Sequence, residues 1–260
     1  MPDDTELIKA GTQGMIEGAL KPFSDLIQSL FGPAATEAGL MLRDHVHSFR
    51  MKRQVRLLER TNEVLHEARI EPQQVPLKVL APIFENASLE ENDDLQDIWA
   101  NMLADAANPQ DPSSVAPSFP AILKELSARD VKFLDRLYEE ALKGTGGRQH
   151  GAADVEDVRF DHRDLLSVLS LAGLARFSRT EPHTEEDKKR HKPEADADER
   201  EVEFVIDLLK RQGIVVQAFE MPVKEGKSNI YKLGIKHSLS HLGMCFVEAC
   251  RPPKATKDRG

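Results

Sequence analysis

Apolar residues in the first 144 positions recur at intervals of three and four, and the runs they form are broken by glycine and proline. Such intervals place side chains on one stripe of an α-helix, so the pattern predicts a succession of amphipathic helices. Residues 7–16 make the first run, ending at Gly18-Ala19-Leu20-Lys21-Pro22. Phe23, Leu26, Ile27, Leu30 and Phe31 make the second, stopped by Gly32-Pro33. From Ala34 a longer, highly charged run carries Leu40, Leu42, Val46, Phe49, Val55, Leu58 and Leu65, and should end before Pro72.

In the central block, Pro76 suits the first turn of a helix bearing Leu77, Leu80, Ile83, Phe84 and Ala87, with Pro82 forcing a kink or a restart. Ser88 with Glu91 three residues on fits a capping box, after which Leu95, Ile98, Trp99, Met102, Leu103 and Ala106 trace an apolar face as far as Asn108-Pro109. A Pro- and Ser-bearing loop leads to Phe119, Ile122, Leu123 and Leu126. Ser127 with Asp130 then caps a helix carrying Val131, Leu134, Leu137, Tyr138 and Ala141, and Gly144 ends it.

Beyond Gly144 the pattern changes. Glycines at 144, 146, 147 and 151 among Thr, Arg, Gln and His read as a linker. Asp161 with Asp164 caps a helix through Leu165, Val168, Leu169 and Ala172, and Leu174-Ala175-Arg176-Phe177 reads as a short strand. The charged run at 180–198 carries too little apolar surface to order itself and reads as a solvated, disordered insertion. A second helix carries Val202, Val205, Ile206 and Leu209 before Gly213; residues 214–219 and 229–235 read as strands joined by a turn at Glu225-Gly226-Lys227-Ser228; a closing helix carries Leu239, Leu242, Phe246 and Ala249. Helix, strand, helix and hairpin in that order resemble a winged-helix module. The expected fold class is therefore mainly α: amphipathic helices at 1–70, a central helical domain at 71–144, a linker at 145–155, and a small α+β winged-helix-like domain at 156–260.

Composition narrows the function. A low aromatic content of 5% with abundant Leu, Ala, Glu and Asp favours helix over sheet. A net charge of −9 opposes non-specific coating of nucleic acid, which needs a surplus of Lys and Arg on one face. The start Met1-Pro2-Asp3-Asp4 has no basic n-region, no run approaches a membrane span, and Cys245 and Cys250 are spaced off a common helical face, so a cytoplasmic protein with reduced thiols is expected.

Candidate chemistry is sparse. Glu85, Glu90, Glu91, Asp93, Asp94 and Asp97 form an acidic cluster that matches no calcium loop and reads as a docking surface, with Glu91 and Asp94 its representatives. Arg50, Lys52, Arg53, Arg56 and Arg60 form the basic counterpart, with Arg53, Arg56 and Arg60 on one face; that stripe suits anionic lipid, nucleic acid or the acidic patch of a neighbouring subunit, and the apolar segment before it suggests a membrane surface. Lys210, Arg211, Lys224, Lys227, Lys232 and Lys236, on the second helix and the expected hairpin, stand where a winged helix would touch phosphate, although Glu201, Glu203 and Asp207 share the helix of Lys210 and Arg211. Trp99 reads as core or as the anchor of a helix interface. His237 and His241 have i, i+4 spacing without a His-Glu-x-x-His motif, and neither a nucleophile elbow nor a phosphate-binding glycine loop occurs. No catalytic residue, metal or cofactor is assigned.

One resemblance is more specific than this chemistry. The apolar run ending in Pro82, the acidic patch leading into Leu95-Gln96-Asp97-Ile98-Trp99-Ala100-Asn101, Pro117-Ser118-Phe119, and the Leu-Ser-x-x-Asp of Leu126 to Asp130 resemble the abortive infection alpha family, a bacterial domain of unknown function. Ala19-Leu20-Lys21-Pro22 and Gly39-Leu40 extend the likeness over roughly residues 15–140. The resemblance implies an anti-phage role, in which an infected cell stops growing or dies. With no catalytic motif, the expected act is binding: a phage or host protein as partner, with self-association through the central helices suggested by Phe84, Trp99 and Phe119. A winged-helix DNA-binding regulator and a membrane-surface effector are the alternatives.

Overall fold

The computed structural model describes residues 21–32, 48–110, 114–144, 158–175, 185–219 and 235–253. The helix expected at 7–16, the start of the long helix at 34–47, the linker at 145–155 and the turn at 225–228 lie outside these residues. Among the described residues the chain is mainly helical, with nine α-helices and one two-stranded sheet. None of these helices is long and apolar enough to cross a membrane. The chain divides into two compact units, Met1–Glu125 with Glu248–Gly260, and Leu126–Val247.

In the first unit, α1 (Ser24–Phe31) follows a 3-10 turn at Lys21–Phe23, and α2 (Ser48–Glu67), α3 (Leu77–Ala87), α4 (Asp93–Ala106) and α5 (Phe119–Lys124) complete the set. Helix α2 buries Leu57, Leu58, Thr61, Val64 and Leu65, the i, i+4, i+7 rows of one face, chiefly against α4. It ends at Arg69, whose φ of 54° is left-handed, as Ile70 N–H donates to the Leu65 carbonyl at 2.9 Å. The extended stretch before α3 is tied on both sides: Gln73 N–H to Ala107 O at 2.9 Å, and Val75 N–H to Leu30 O at 3.0 Å.

Pro82 does not restart α3; the helix runs unbroken from Leu77 to Ala87. A proline costs one backbone hydrogen bond, and burial of Val79, Leu80, Ile83, Phe84 and Ala87 offsets that cost. The cap of α4 also differs from expectation. Asn92, not Ser88, is the N-cap, with its side-chain oxygen accepting from Leu95 N–H at 3.1 Å. Ser88 instead donates to Glu85 O at 2.6 Å, closing the end of α3. Wholly buried Gln96 braces the loop between them, its Nε2 donating to Ala87 O and Glu90 O.

The second unit holds α6 (Ala128–Gly144), α7 (His162–Leu171), α8 (Glu185–Arg211), strands β1 (Val215–Phe219) and β2 (Ile235–Leu239), and α9 (His241–Cys250) as far as Val247. Both expected capping pairs form here. Asp130 accepts from the backbone and hydroxyl of Ser127 at 2.8 and 2.7 Å, and Asp161 with Asp164 makes a reciprocal box at the start of α7. The strands pair antiparallel, Val215 opposite Leu239 and Phe219 opposite Ile235.

Three expectations need correction. The backbone of residues 185–198 is helical, continuous with the rest of α8, where composition suggested disorder. Acidic residues stand three and four positions ahead of basic ones in this run, a spacing that favours helix. The last strand lies at 235–239, later than expected at 229–235, because Ser240 is the N-cap of α9: its hydroxyl accepts from Gly243 N–H at 2.9 Å and leaves Leu239 in the strand, wholly buried. Finally, the winged-helix order is not found among the described residues. Leu174 and Ala175 are not strand, and Arg176-Phe177 lie outside the described residues; the third partner of the sheet is a single bridge, Phe160 to His237, placed before α7.

Gly243 shows why this end of the unit is close-packed. A Cβ there would collide with the backbone carbonyl oxygen of Ile214, so only glycine lets α9 approach the chain entering β1.

Candidate functional site

The three arginines of the α2 stripe face the first turn of α4. Arg53 Nη1 meets Asp93 Oδ1 at 2.5 Å and its Nη2 donates to the Glu91 carbonyl at 2.7 Å. Arg56 lies between the two carboxylates, 3.7 Å from Asp93 Oδ2 and 3.6 Å from Asp97 Oδ1. Arg60 donates its Nε and Nη2 to the two oxygens of Asp97 at 3.0 and 3.3 Å, and its Nη1 meets Glu63 at 2.5 Å. The hydrogen bond from Arg53, aided by the charge of Arg56, holds the Asp93 carboxyl below its ordinary value. Hydrogen bonds to Glu63 and Asp97 push Arg60 up.

The basic stripe and the acidic cluster, read from sequence as two separate surfaces, thus share a ladder of ion pairs between neighbouring helices. α2 offers Arg53, Arg56 and Arg60 at intervals of about one turn, and α4 offers Asp93 and Asp97 one turn apart, so rows of opposite charge meet along their length. Solvent reaches every rung, which keeps the contribution of each pair to stability small. Glu91 and Asp94 are exposed beside the ladder. Trp99, further along α4, is 1% exposed and belongs to the core. Phe84 and Phe119, which with Trp99 suggested self-association through these helices, are buried as well, so the unit itself covers the side chains on which that expectation rested.

In the second unit, Lys210 is held by Asp207 at 2.7 Å, and this contact keeps the Asp207 carboxyl below its ordinary value. Arg211 is exposed at the end of α8, while Lys224 and Lys227 lie outside the described residues. His237 is half-buried on β2; burial and the nearby Lys210 charge push its imidazole below the ordinary 6.5, favouring the neutral ring. His241 and Cys245 stand one turn apart on α9 with Nε2 and Sγ at 3.7 Å, and Cys250 is buried. Among the described residues no group of three or more His, Cys, Asp and Glu is placed to hold a metal ion.

One exposed group escaped the sequence reading. Helix α8 buries Val202, Val205, Ile206 and Leu209, whereas Phe204, on the opposite side, is 69% exposed. Around it on the outer face lie exposed Arg200 and Arg211 and half-buried Leu208. The available signal was an aromatic residue standing off the apolar stripe of its own helix.

Comparison with known families extends the likeness well beyond residue 140. The family description abortive infection alpha matches residues 52–250, from the α2 arginines through both strands to the end of α9; it takes in parts of both compact units and leaves out residues 15–51, where the likeness was expected to begin. No curated protein and no solved structure matches the chain. The residues that carry the Arg–Asp ladder, the Trp99 core and the C-terminal helix-and-hairpin unit all fall within one family pattern, and the chain belongs to the abortive infection alpha family.

Proposed function

We propose that this protein serves anti-phage defence in the bacterial cytoplasm by abortive infection, and that it acts by binding a macromolecular partner, with no reaction of its own. The observation that carries the reading is the family match over residues 52–250, which takes in parts of both units. Binding is supported by large apolar side chains exposed on well-formed helices, Leu77 at 55% and Leu171 at 53%, which a partner would cover.

The alternatives draw less support from the same geometry. A membrane-surface effector would use the α2 arginines, which are engaged by Asp93, Asp97 and Glu63. A DNA reader would use Lys210, which is engaged by Asp207 beside exposed Glu203.

Plaque counts with parallel counts of surviving cells test the proposal. Cells expressing the chain should give fewer plaques and fewer survivors at high phage dose than cells without it. Equal plaquing across a broad phage panel removes the defence role. Crosslinking in infected cells tests the binding step: recovery of a phage or host protein, absent from uninfected controls, is expected, and a purified chain that protects by turning over a nucleotide or nucleic acid contradicts it.

A further inference from the structure

We infer that the outer face of α8 pairs two copies of this chain, antiparallel about a two-fold axis beside Phe204. The inference stands apart from the anti-phage proposal; either can fail alone.

Phe204 is the most exposed large apolar side chain among the described residues. It lies on the side of α8 away from the buried row Val202, Val205, Ile206 and Leu209, so the unit's own core has no use for it. Leu208, one turn on, widens the apolar strip, and exposed Arg200 lies one turn before. Asp207, one turn after on the Arg200 side, has 74% of its side chain exposed while its Oδ1 meets Lys210.

Charge order along the strip selects the occupant. At a rise of about 1.5 Å per residue, Arg200 lies about 6 Å before Phe204 and Asp207 about 4.5 Å after it. At about 100° per residue, both sit to the same side of Phe204 on the helical wheel. A two-fold axis at Phe204, perpendicular to the helix and in the plane of contact, reverses the helix direction and keeps the side. It therefore brings Arg200 to within about 1.5 Å, along the axis, of the level of the partner's Asp207. Symmetry makes that ion pair twice, flanking stacked Phe204 rings. Arg200, Phe204 and Asp207 are thus self-complementary in apolarity and charge, which a second copy satisfies without any other component. A contact centred on one helix face falls short of the roughly 800 Å² per partner of standard interfaces, so the dimer is concentration-dependent.

Sedimentation of the full chain from about 1 to about 200 μM is the test. The wild-type chain should pass from monomer to dimer over this range, and Phe204→Asp should stay monomeric. Arg200→Asp should weaken the dimer about tenfold by opposing Asp207 twice, and Arg200→Asp combined with Asp207→Arg should restore it to within about threefold. Residues 200, 204 and 207 are exposed, and unchanged circular dichroism verifies that each variant is folded. A wild-type chain monomeric throughout overturns the inference. So does a dimer indifferent to Phe204→Asp, or one that the charge exchange fails to restore.

Discussion

Individual residues in this chain are legible where their job is local. Asp161, Asp164, Ser127 and Asp130 cap helices as their spacing announced, because a capping hydrogen bond spans only three residues. Arg69 is the opposite case: it closes α2 in a left-handed conformation that costs an L-residue about 1 kcal/mol and that nothing in its type foretells. Arg69→Gly should therefore raise unfolding stability by up to about 1 kcal/mol in a urea titration. Gly243 runs the other way. Gly243→Ala forces a methyl group into the Ile214 carbonyl and should lower stability by about 1 to 3 kcal/mol, read by the same titration.

At the scale of elements, two kinds of contact hold α2 to α4, and their magnitudes differ. The Arg–Asp ladder is solvent-exposed, whereas Leu57, Leu58, Trp99 and Leu103 are essentially sealed from water. Asp97→Asn, which weakens the rungs to Arg56 and Arg60, should cost no more than about 1 kcal/mol. Trp99→Ala should cost about 3 to 5 kcal/mol through lost burial and the cavity left behind. Comparing the two midpoints under denaturant decides whether packing or charge holds the pair; equal losses would abolish the ranking, and a larger loss from Asp97→Asn would reverse it. Both rows were visible in the sequence, but their meeting was not, since Arg60 and Asp97 are separated by 37 residues and the chain between them had to be folded first.

For the whole molecule, acid is the condition that tests the electrostatics together. His237 has its folded value below 6.5, so on acidification the unfolded chain takes up that proton first and stability falls as pH drops below about 6.5. Asp93, Asp161 and Asp207 have folded values below the ordinary 3.8; their contributions are present above that pH and are lost as pH falls through it. Melting temperature should thus decline in two stages, a first that sets in below the ordinary 6.5 and that His237→Gln abolishes, and a second below the ordinary 3.8 that it leaves in place. A single decline confined to the lower range in the wild-type chain would remove the role given to His237.

The helical class, the apolar stripes of α2, α3, α4 and α6, two of the capping pairs and the family are legible along the chain alone, because each is written in spacings within a few turns or in a continuous block of residues. Which surfaces remain exposed was settled by folding. Folding brought Asp93 and Asp97 to the α2 arginines, closed Phe84, Trp99 and Phe119 inside the first unit, moved the second strand to end at Leu239, and left Phe204 outside. A side chain's type sets what it can bind, but whether water, a neighbouring helix or a partner reaches it depends on contacts between segments distant in the chain, and those have no signature in local order.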